Sequence, residues 1–182
     1  MVEKWPTLQN ETIADYYIFK VQETVKQSPR TQKKHTFFVL DSPDWVNVIP
    51  ITAEGNVIMI HQVRHGTGEP TLEIPGGMVD EKEDPRLSAQ RELLEETGYA
   101  AEQFLHIGSV TPNPAFLNNE LHTFLALNAR RVQQPVFDGS EDIIVEEIAV
   151  DQIPTLIDSG QIHHALVIAA FYHYERYRDR HR

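Results

Sequence analysis

Three carboxylates and one arginine are concentrated in six residues of this chain, Arg91-Glu-Leu-Leu-Glu-Glu96. On a helix, spacings of three and four residues place Glu92, Glu95 and Glu96 within an arc of about 100°. Like charges at these spacings repel one another, so helix stability does not explain the pattern. A hard divalent cation would turn the repulsion into coordination, because Mg²⁺ prefers oxygen ligands and often bridges carboxylates to substrate phosphates. The pattern therefore predicts a metal site.

The element that must carry these side chains is a helix predicted over Asp84–Thr97. Asp84 is a good N-cap residue, because its short side chain can accept a hydrogen bond from the first turn. Pro85 suits the first helical position, where a missing N–H costs nothing. Gly98 suits the C-terminal cap, which usually adopts a left-handed conformation. The glutamates are thus expected on a helix with defined ends.

The rest of the chain predicts a mixed arrangement of strands and helices. Segments rich in β-branched and aromatic residues predict strands over 15–24, 36–40, 45–52, 56–62, 70–76, 103–110, 120–127 and 142–150. Amphipathic segments predict helices over 153–158 and 162–177. This mixture indicates an α+β fold. Residues 1–45 are expected to form a separate antiparallel β subdomain, and residues 46–182 the main domain.

Composition excludes several classes of protein. The chain has 16 Lys and Arg against 27 Asp and Glu, a net charge of −11, which argues against nucleic-acid binding through many phosphates. It has no cysteine, which rules out disulfides, thiolate metal sites and cysteine nucleophiles. No apolar run reaches the roughly 18 residues of a membrane span, and the first 25 residues lack a signal-peptide core. We therefore expect a cytoplasmic protein with no membrane partner.

Residues 77–99 resemble the Nudix box. That box reads glycine, five residues, glutamate, seven residues, and then Arg-Glu-hydrophobic-x-Glu-Glu-x-Gly-hydrophobic. All seven fixed positions match, and the places are held by Gly77, Glu83, Arg91, Glu92, Leu93, Glu95, Glu96, Gly98 and Tyr99. The resemblance implies a Nudix-type α/β/α sandwich with a mixed central sheet between helices. It also implies hydrolysis of a nucleoside diphosphate linked to another moiety.

The resemblance to the box implies a role for each of its charged residues. Glu92, Glu95 and Glu96 would hold Mg²⁺, with Mn²⁺ as an alternative ion, and the carbonyl of Gly76 would add a further ligand. Arg91 can reach Glu95 one turn later and would hold its orientation. Glu92, Glu96 and Arg91 are therefore the expected catalytic residues on this helix. The nine histidines form no recognisable zinc-ligand set and are expected on the surface or in packing.

Segments outside the box resemble the ADP-ribose and nucleoside diphosphate sugar pyrophosphatases of the family. Pro114-Ala-Phe116, followed by Glu120, is similar to their proline-marked substrate segment, with a plain turn between strands as the alternative. Arg64 follows a predicted strand and is a candidate phosphate ligand, because a guanidinium fork matches two phosphate oxygens. Its alternative is a surface cation. Glu73 is expected to contact the substrate or to support the metal-binding loop.

An acidic loop, Asp138-Gly-Ser-Glu-Asp142, supplies the last candidate. In this subgroup a glutamate in such a loop acts as general base or completes the metal site, and Glu141 best matches that place. A carboxylate beside the metal is well suited to accept a proton from water. The alternative is an exposed acidic turn.

These similarities imply one reaction and one assembly. The reaction is metal-dependent hydrolysis of the pyrophosphate bond of a small nucleoside diphosphate sugar such as ADP-ribose, giving a nucleoside monophosphate and a sugar phosphate. The alternatives are hydrolysis of nucleoside triphosphates, coenzyme A or dinucleoside polyphosphates, or a catalytically silent ADP-ribose sensor. The N-terminal strands resemble the extra sheet through which members of this subgroup form homodimers, so a homodimer is expected.

Overall fold

The computed structural model describes residues 1–137 and 142–181. Two compact units are present. The first contains Met1–Pro43 together with Thr111–Glu120. The second contains Asp44–Val110 and the described residues from Leu121 onward.

The first unit is built on a three-stranded antiparallel sheet. Its strands, in the order β1-β2-β3, are β1 Thr7–Tyr16, β2 Phe19–Gln27 and β3 Lys34–Asp41. The single strand predicted over 15–24 was wrong, because the chain reverses after Tyr16, which pairs with Phe19. Aromatic and β-branched residues continue through the two-residue turn between β1 and β2, so composition does not mark it.

The second unit contains a seven-stranded mixed sheet. Its strands are β4 Trp45–Ile51, β5 Asn56–Arg64, β6 Glu69–Glu73, β7 Gly76–Met78, β9 Gln103–Val110, β10 Leu121–Leu127 and β12 Ile144–Ala149. The order is β12-β5-β4-β10-β9, with β6 paired to β5 and β7 paired to β4. Strand β10 runs parallel to β4, and the other pairs are antiparallel. Two short strands, β8 Tyr99–Ala100 and β11 Arg130–Arg131, pair separately.

Helices cover both faces of this sheet. They are α1 Pro85–Thr97, α2 Ile153–Asp158 and α3 Ala165–Arg180, with a 3₁₀ turn at Val150–Gln152 before α2. Successive residues of a strand point to opposite faces. Val48 of β4 accordingly packs with Leu93 of α1, whereas Ile49 packs with Phe171 of α3. The predicted α/β/α sandwich is confirmed.

Helix α3 begins three residues later than predicted. Ile162 is buried, which explains its place in the apolar pattern, but His164 has an extended backbone and is the N-cap residue. Within the described part of the chain, no helix has the length and apolar character needed to cross a membrane.

Candidate active site

The ends of α1 form as the sequence predicts. The Asp84 side chain accepts a hydrogen bond from the backbone N–H of Arg86 at 2.8 Å, and Pro85 begins the helix. Gly98 has φ of 73° and donates its N–H to the carbonyl of Leu94 at 2.9 Å. A side chain at position 98 would be strained by this φ. These caps set where the glutamates of α1 are presented.

Arg91 organises the acidic residues around it. Its Nη1 donates to Glu92 Oε1 at 2.7 Å and to Glu95 Oε2 at 3.3 Å. Its Nη2 donates to Glu83 Oε2 at 3.1 Å and to the Met78 carbonyl at 3.2 Å. Burial would lower the pKa of Arg91, but the hydrogen bond to Glu83 and the charge of Glu92 raise it above its usual range. The predicted contact with Glu95 is present, and the contact with Glu92 is the shorter one.

Glu83 connects the loop before α1 to the first turn of the helix. Its Oε2 accepts a hydrogen bond from the Ser88 hydroxyl at 2.6 Å as well as the bond from Arg91. The hydrogen bond from Ser88, followed by that from Arg91, lowers the pKa of Glu83 below its ordinary value. Glu83 is therefore ionised at neutral pH and holds this loop against the helix.

Glu96 and Glu92 are positioned by the backbone of two consecutive glycines. Glu96 is 3% exposed, and its Oε2 accepts a hydrogen bond from the Gly76 N–H at 2.9 Å. The Glu92 carboxylate lies against Gly77, where an added Cβ would come within 2.8 Å of Glu92 Oε2. Both carboxylates thus depend on the close approach of the chain at the beginning of β7.

Arg64 and Glu73 form a bidentate pair at the end of β5 and β6. Arg64 Nε donates to Glu73 Oε1 at 2.8 Å, and Nη2 donates to Oε2 at 2.7 Å. The hydrogen bond with Glu73 raises the pKa of Arg64 against the effect of burial, and the charge of Glu96 raises it further. Arg64 therefore lies close enough to Glu96 of α1 for the two charges to interact.

Glu73 is buried and fully engaged. Its side chain is 1% exposed, and burial alone would raise its pKa. Hydrogen bonds from Arg64 and His164 outweigh burial and hold the pKa of Glu73 well below its usual range. Of the two roles expected for Glu73, the geometry favours support, because both of its oxygens already accept hydrogen bonds from the protein.

His164 contacts Glu73 in a way that the sequence did not indicate. Its Nδ1 lies 2.8 Å from Glu73 Oε2, although the two residues are 91 positions apart in the chain. The histidines were expected on the surface or in packing, and this one contacts a buried carboxylate. No local pattern marks it, because the contact depends on where α3 begins relative to β6.

Tyr99, the last residue of the box, is anchored to β12. Its hydroxyl donates to Glu147 Oε1 at 2.6 Å. Burial and the hydrogen bond to Glu147 raise the pKa of Tyr99 to about 12. The end of α1 is thereby connected to the strand that follows the acidic loop.

A family model described as the NUDIX domain matches residues 42–171. The chain belongs to the Nudix family. It is 29% identical over 167 residues to the ADP-ribose pyrophosphatase of Bacillus subtilis (strain 168), covering 87% of this chain and 89% of that protein. It is equally 29% identical over 167 residues to the methanol dehydrogenase activator of Bacillus methanolicus, covering 90% and 89%.

The fold is also that of a solved structure, a crystal structure of an ADP compounds hydrolase. The TM-score is 0.85 at 19% sequence identity, over 97% of this chain and 95% of that one. At this identity the likeness establishes the Nudix fold alone, including the central sheet between helices and the N-terminal antiparallel sheet.

The donors of the Nudix box in this chain are of the type that a hard divalent cation prefers. Among residues 1–137 and 142–181, no three His, Asp or Glu side chains converge as a ready-made metal site. Instead, Arg91 holds Glu92 and Glu95. The donors that α1 presents are carboxylate oxygens, which suit Mg²⁺ or Mn²⁺, and the missing side chain at Gly77 leaves the space that the Glu92 carboxylate fills. A divalent cation held there would screen the charge of a pyrophosphate and polarise a water molecule.

The remaining predicted site residues belong to other segments of the chain. Pro114, Phe116 and Glu120 belong to the first unit and are exposed. The Phe116 carbonyl accepts a hydrogen bond from the Leu40 N–H at 2.7 Å, which fastens this segment to β3. Glu141 lies outside the described residues.

Proposed function

We propose that this Nudix protein is a metal-dependent pyrophosphatase of nucleoside diphosphate sugars such as ADP-ribose, releasing a nucleoside monophosphate and a sugar phosphate. The observation that carries this proposal is the complete set of box carboxylates, of which Glu83, Glu92 and Glu95 bind the Arg91 guanidinium and Glu96 binds the Gly76 N–H. A catalytically silent sensor would have no need to keep these mutually repelling charges.

The choice of substrate class is supported by the relatives. The Bacillus subtilis protein is an ADP-ribose pyrophosphatase, and a mouse protein, 33% identical over 124 residues, is an ADP-sugar pyrophosphatase. The mouse match covers 65% of this chain and 53% of that protein. The Bacillus methanolicus relative bears a different name at the same identity, so a substrate panel is needed to decide.

The proposed ligands of the cation are Glu92, Glu95, Glu96 and the carbonyl of Gly76. Mg²⁺ is the proposed ion, with Mn²⁺ as a substitute, because both favour oxygen donors. Arg91 would keep the first two carboxylates oriented, since its Nη1 already binds an oxygen of each. Release of one of these bonds would free an oxygen for the cation.

The protein groups proposed to bind the substrate are Arg64 and three residues of the segment 114–120. Arg64 would donate to a phosphate oxygen, because its side chain is 44% exposed and its charge is kept by Glu73. Pro114, Phe116 and Glu120 would contact the nucleoside or sugar. These assignments rest on the sequence resemblance and on the exposure of the side chains.

Glu141 is the proposed general base. Its carboxylate would take a proton from the attacking water as the water oxygen bonds to phosphorus and the bridging anhydride oxygen leaves with the other phosphate. The support for this step is its place in the acidic loop just before β12, a strand held to the end of α1 by the Tyr99–Glu147 hydrogen bond.

A homodimer formed through the N-terminal sheet is the proposed assembly. The sheet exposes large apolar side chains that include Leu8, Ile13, Phe37 and Phe38. Such side chains provide apolar surface that a partner subunit could bury. Light scattering after gel filtration measures the mass directly, and Phe38→Glu should shift a dimer towards monomer. A monomeric wild-type protein would contradict the proposal.

The decisive experiment is a substrate panel with identification of the products. Purified protein with Mg²⁺ is offered ADP-ribose, other nucleotide sugars, nucleoside triphosphates, coenzyme A and dinucleoside polyphosphates. We expect the nucleotide sugars to give the highest kcat/KM, and ¹⁸O-labelled water to label one of the two phosphate products. Preference for triphosphates would contradict the proposal, as would binding of ADP-ribose without turnover.

A further inference from the structure

Glu73 accepts four hydrogen bonds, two on each oxygen. Oε1 accepts from Arg64 Nε at 2.8 Å and from the Thr71 hydroxyl. Oε2 accepts from Arg64 Nη2 at 2.7 Å and contacts His164 Nδ1 at 2.8 Å. A carboxylate with two donors on each oxygen has a fixed plane. The Arg64 guanidinium binds in that plane, so the carboxylate fixes the orientation of the guanidinium.

The Glu73 carboxylate determines which ring nitrogen of His164 carries a proton. An ionised carboxylate is an acceptor only, so the 2.8 Å contact is a hydrogen bond only if Nδ1 of His164 carries the proton. Glu73 is 1% exposed, so water cannot readily replace a lost donor on Oε2. Without His164, Oε2 would retain Arg64 alone, and the carboxylate would keep three of its four hydrogen bonds and be held less firmly.

His164 is held in place by the beginning of α3. It is the N-cap residue of that helix, yet its side chain makes no capping hydrogen bond and reaches Glu73 instead. Two residues later, the Leu166 carbonyl accepts a hydrogen bond from Asn47 Nδ2 at 3.3 Å. Asn47 pairs with Gly76 across β4 and β7. The beginning of α3 is thus fastened at two points beside the candidate active site.

Arg64 presents its remaining donors outward. Glu73 occupies Nε and one N–H of Nη2, and within the described part of the chain Nη1 makes no hydrogen bond. The Arg64 side chain is 44% exposed although its partner is buried. A guanidinium held on one edge and exposed on the other is preorganised to bind an anion.

We propose that His164 is a positioning residue, which acts through Glu73 to hold the Arg64 guanidinium with its Nη1 edge directed at a substrate phosphate. This inference rests on the proposed function in one respect, the assignment of Arg64 to a phosphate. It adds the N-cap residue of α3 to Arg64 and Glu73, which lie at the ends of β5 and β6.

The test compares three variants. His164→Leu removes the donor at similar size, His164→Asn retains an N–H close to the position of Nδ1, and His163→Leu alters the exposed neighbour as a matched control. We expect His164→Leu to raise KM for ADP-ribose about tenfold, with kcat within about twofold of wild type. His164→Asn and His163→Leu should stay within about twofold in both constants.

Two kinetic results would overturn the inference. One is an unchanged KM in His164→Leu. The other is equal impairment of His164→Asn and His164→Leu, because a role in ring packing alone would not be rescued by an N–H donor. Thermal melting of each variant identifies any that fails to fold.

A measurement on the wild-type protein separates this inference from the proposed function. Long-range ¹H–¹⁵N spectra should show a proton on His164 Nδ1, and inorganic pyrophosphate should shift the Arg64 side-chain resonances in wild type and less in His164→Leu. A bare Nδ1, or an equal response of both proteins, would overturn the role of His164. Lack of turnover on every nucleotide sugar would instead contradict the proposed function and leave these spectra decisive for His164.

Discussion

The carboxylate of Glu92 fills the space that a side chain at Gly77 would otherwise occupy. A Cβ at position 77 would lie 2.8 Å from Glu92 Oε2, which is closer than van der Waals contact allows. The obstructing group is the far end of a flexible side chain, so it can swing away at little cost to the fold. The absence of a side chain at Gly77, the first residue of the box, therefore allows the Glu92 carboxylate of α1 to take its observed position.

Gly77→Ala should displace Glu92 and reduce activity more than stability. We expect kcat/KM for the best nucleotide sugar to fall about 100-fold, since a small misplacement of a catalytic group is costly. The melting temperature should fall by only a few degrees, roughly the effect of 1 kcal/mol. Gly66→Ala is the control, because nothing lies within 4 Å of its added Cβ. Equal activity of the two variants would contradict the role assigned to Gly77.

Replacement of the box carboxylates should abolish turnover and spare substrate binding. Glu92→Gln and Glu96→Gln each remove a charge with little change of shape, so kcat should fall at least about 100-fold while ADP-ribose still binds by calorimetry. Glu102→Gln, an exposed site outside the helix, is the control. Unchanged turnover in both box variants would rule out this metal site.

Arg91→Lys should weaken binding of the divalent cation. Lysine keeps the charge but cannot reproduce the fork that joins Glu83, Glu92 and Glu95. Loss of a group that orients metal ligands typically costs 10- to 100-fold in metal affinity, so roughly that rise in the Mg²⁺ concentration for half-maximal activity is expected. Restoration of wild-type kcat at saturating Mg²⁺ would agree with this role. An unchanged Mg²⁺ concentration for half-maximal activity would contradict it.

Ser88→Ala should raise the pKa of Glu83 towards its ordinary value of 4.5, because the Ser88 hydrogen bond is the main cause of its depression. A depressed carboxyl pKa contributes stability that is present above 4.5 and is lost as the pH falls through the folded-state value. Ser88→Ala should therefore reduce the free energy of unfolding at pH 7 and reduce its loss on acidification. In a Glu83→Gln background, Ser88→Ala should leave the pH dependence of the free energy of unfolding unchanged. If Ser88→Ala still changes this pH dependence, the titrating group is not Glu83.

Tyr99→Phe should remove the loss of stability at alkaline pH that follows from burial of the phenol and from its hydrogen bond to Glu147. A phenol whose pKa is raised from 10.0 to about 12 stabilises the fold fully below pH 10, and this contribution is lost as the pH rises through 12. Denaturant unfolding at pH 7 should show a loss of about 1 kcal/mol. Tyr17→Phe, at a fully exposed tyrosine, is the control and should show no such loss.

Local chemistry made α1 and its charged face predictable. Asp84, Pro85 and Gly98 act through the backbone within one turn, and the helix found has the bounds they indicate. The contact between Arg91 and Glu95 follows from helical spacing in the same way. By contrast, the single strand predicted over 15–24 failed, since the two strands of a hairpin share one composition and nothing in residue type marked the turn after Tyr16.

The amino-acid sequence by itself determined the family and the reaction class, through the complete Nudix box. It also determined the helix that presents the carboxylates, because residues three and four apart lie on one face of an α-helix. Tertiary structure alone decided that Glu73 is a support for Arg64, that His164 joins it from 91 positions away, and that Gly77 makes room for Glu92. The physical reason is that these contacts join separate elements, the beginning of α3 to the end of β6 and the face of α1 to β7, and no short-range rule encodes how those elements pack.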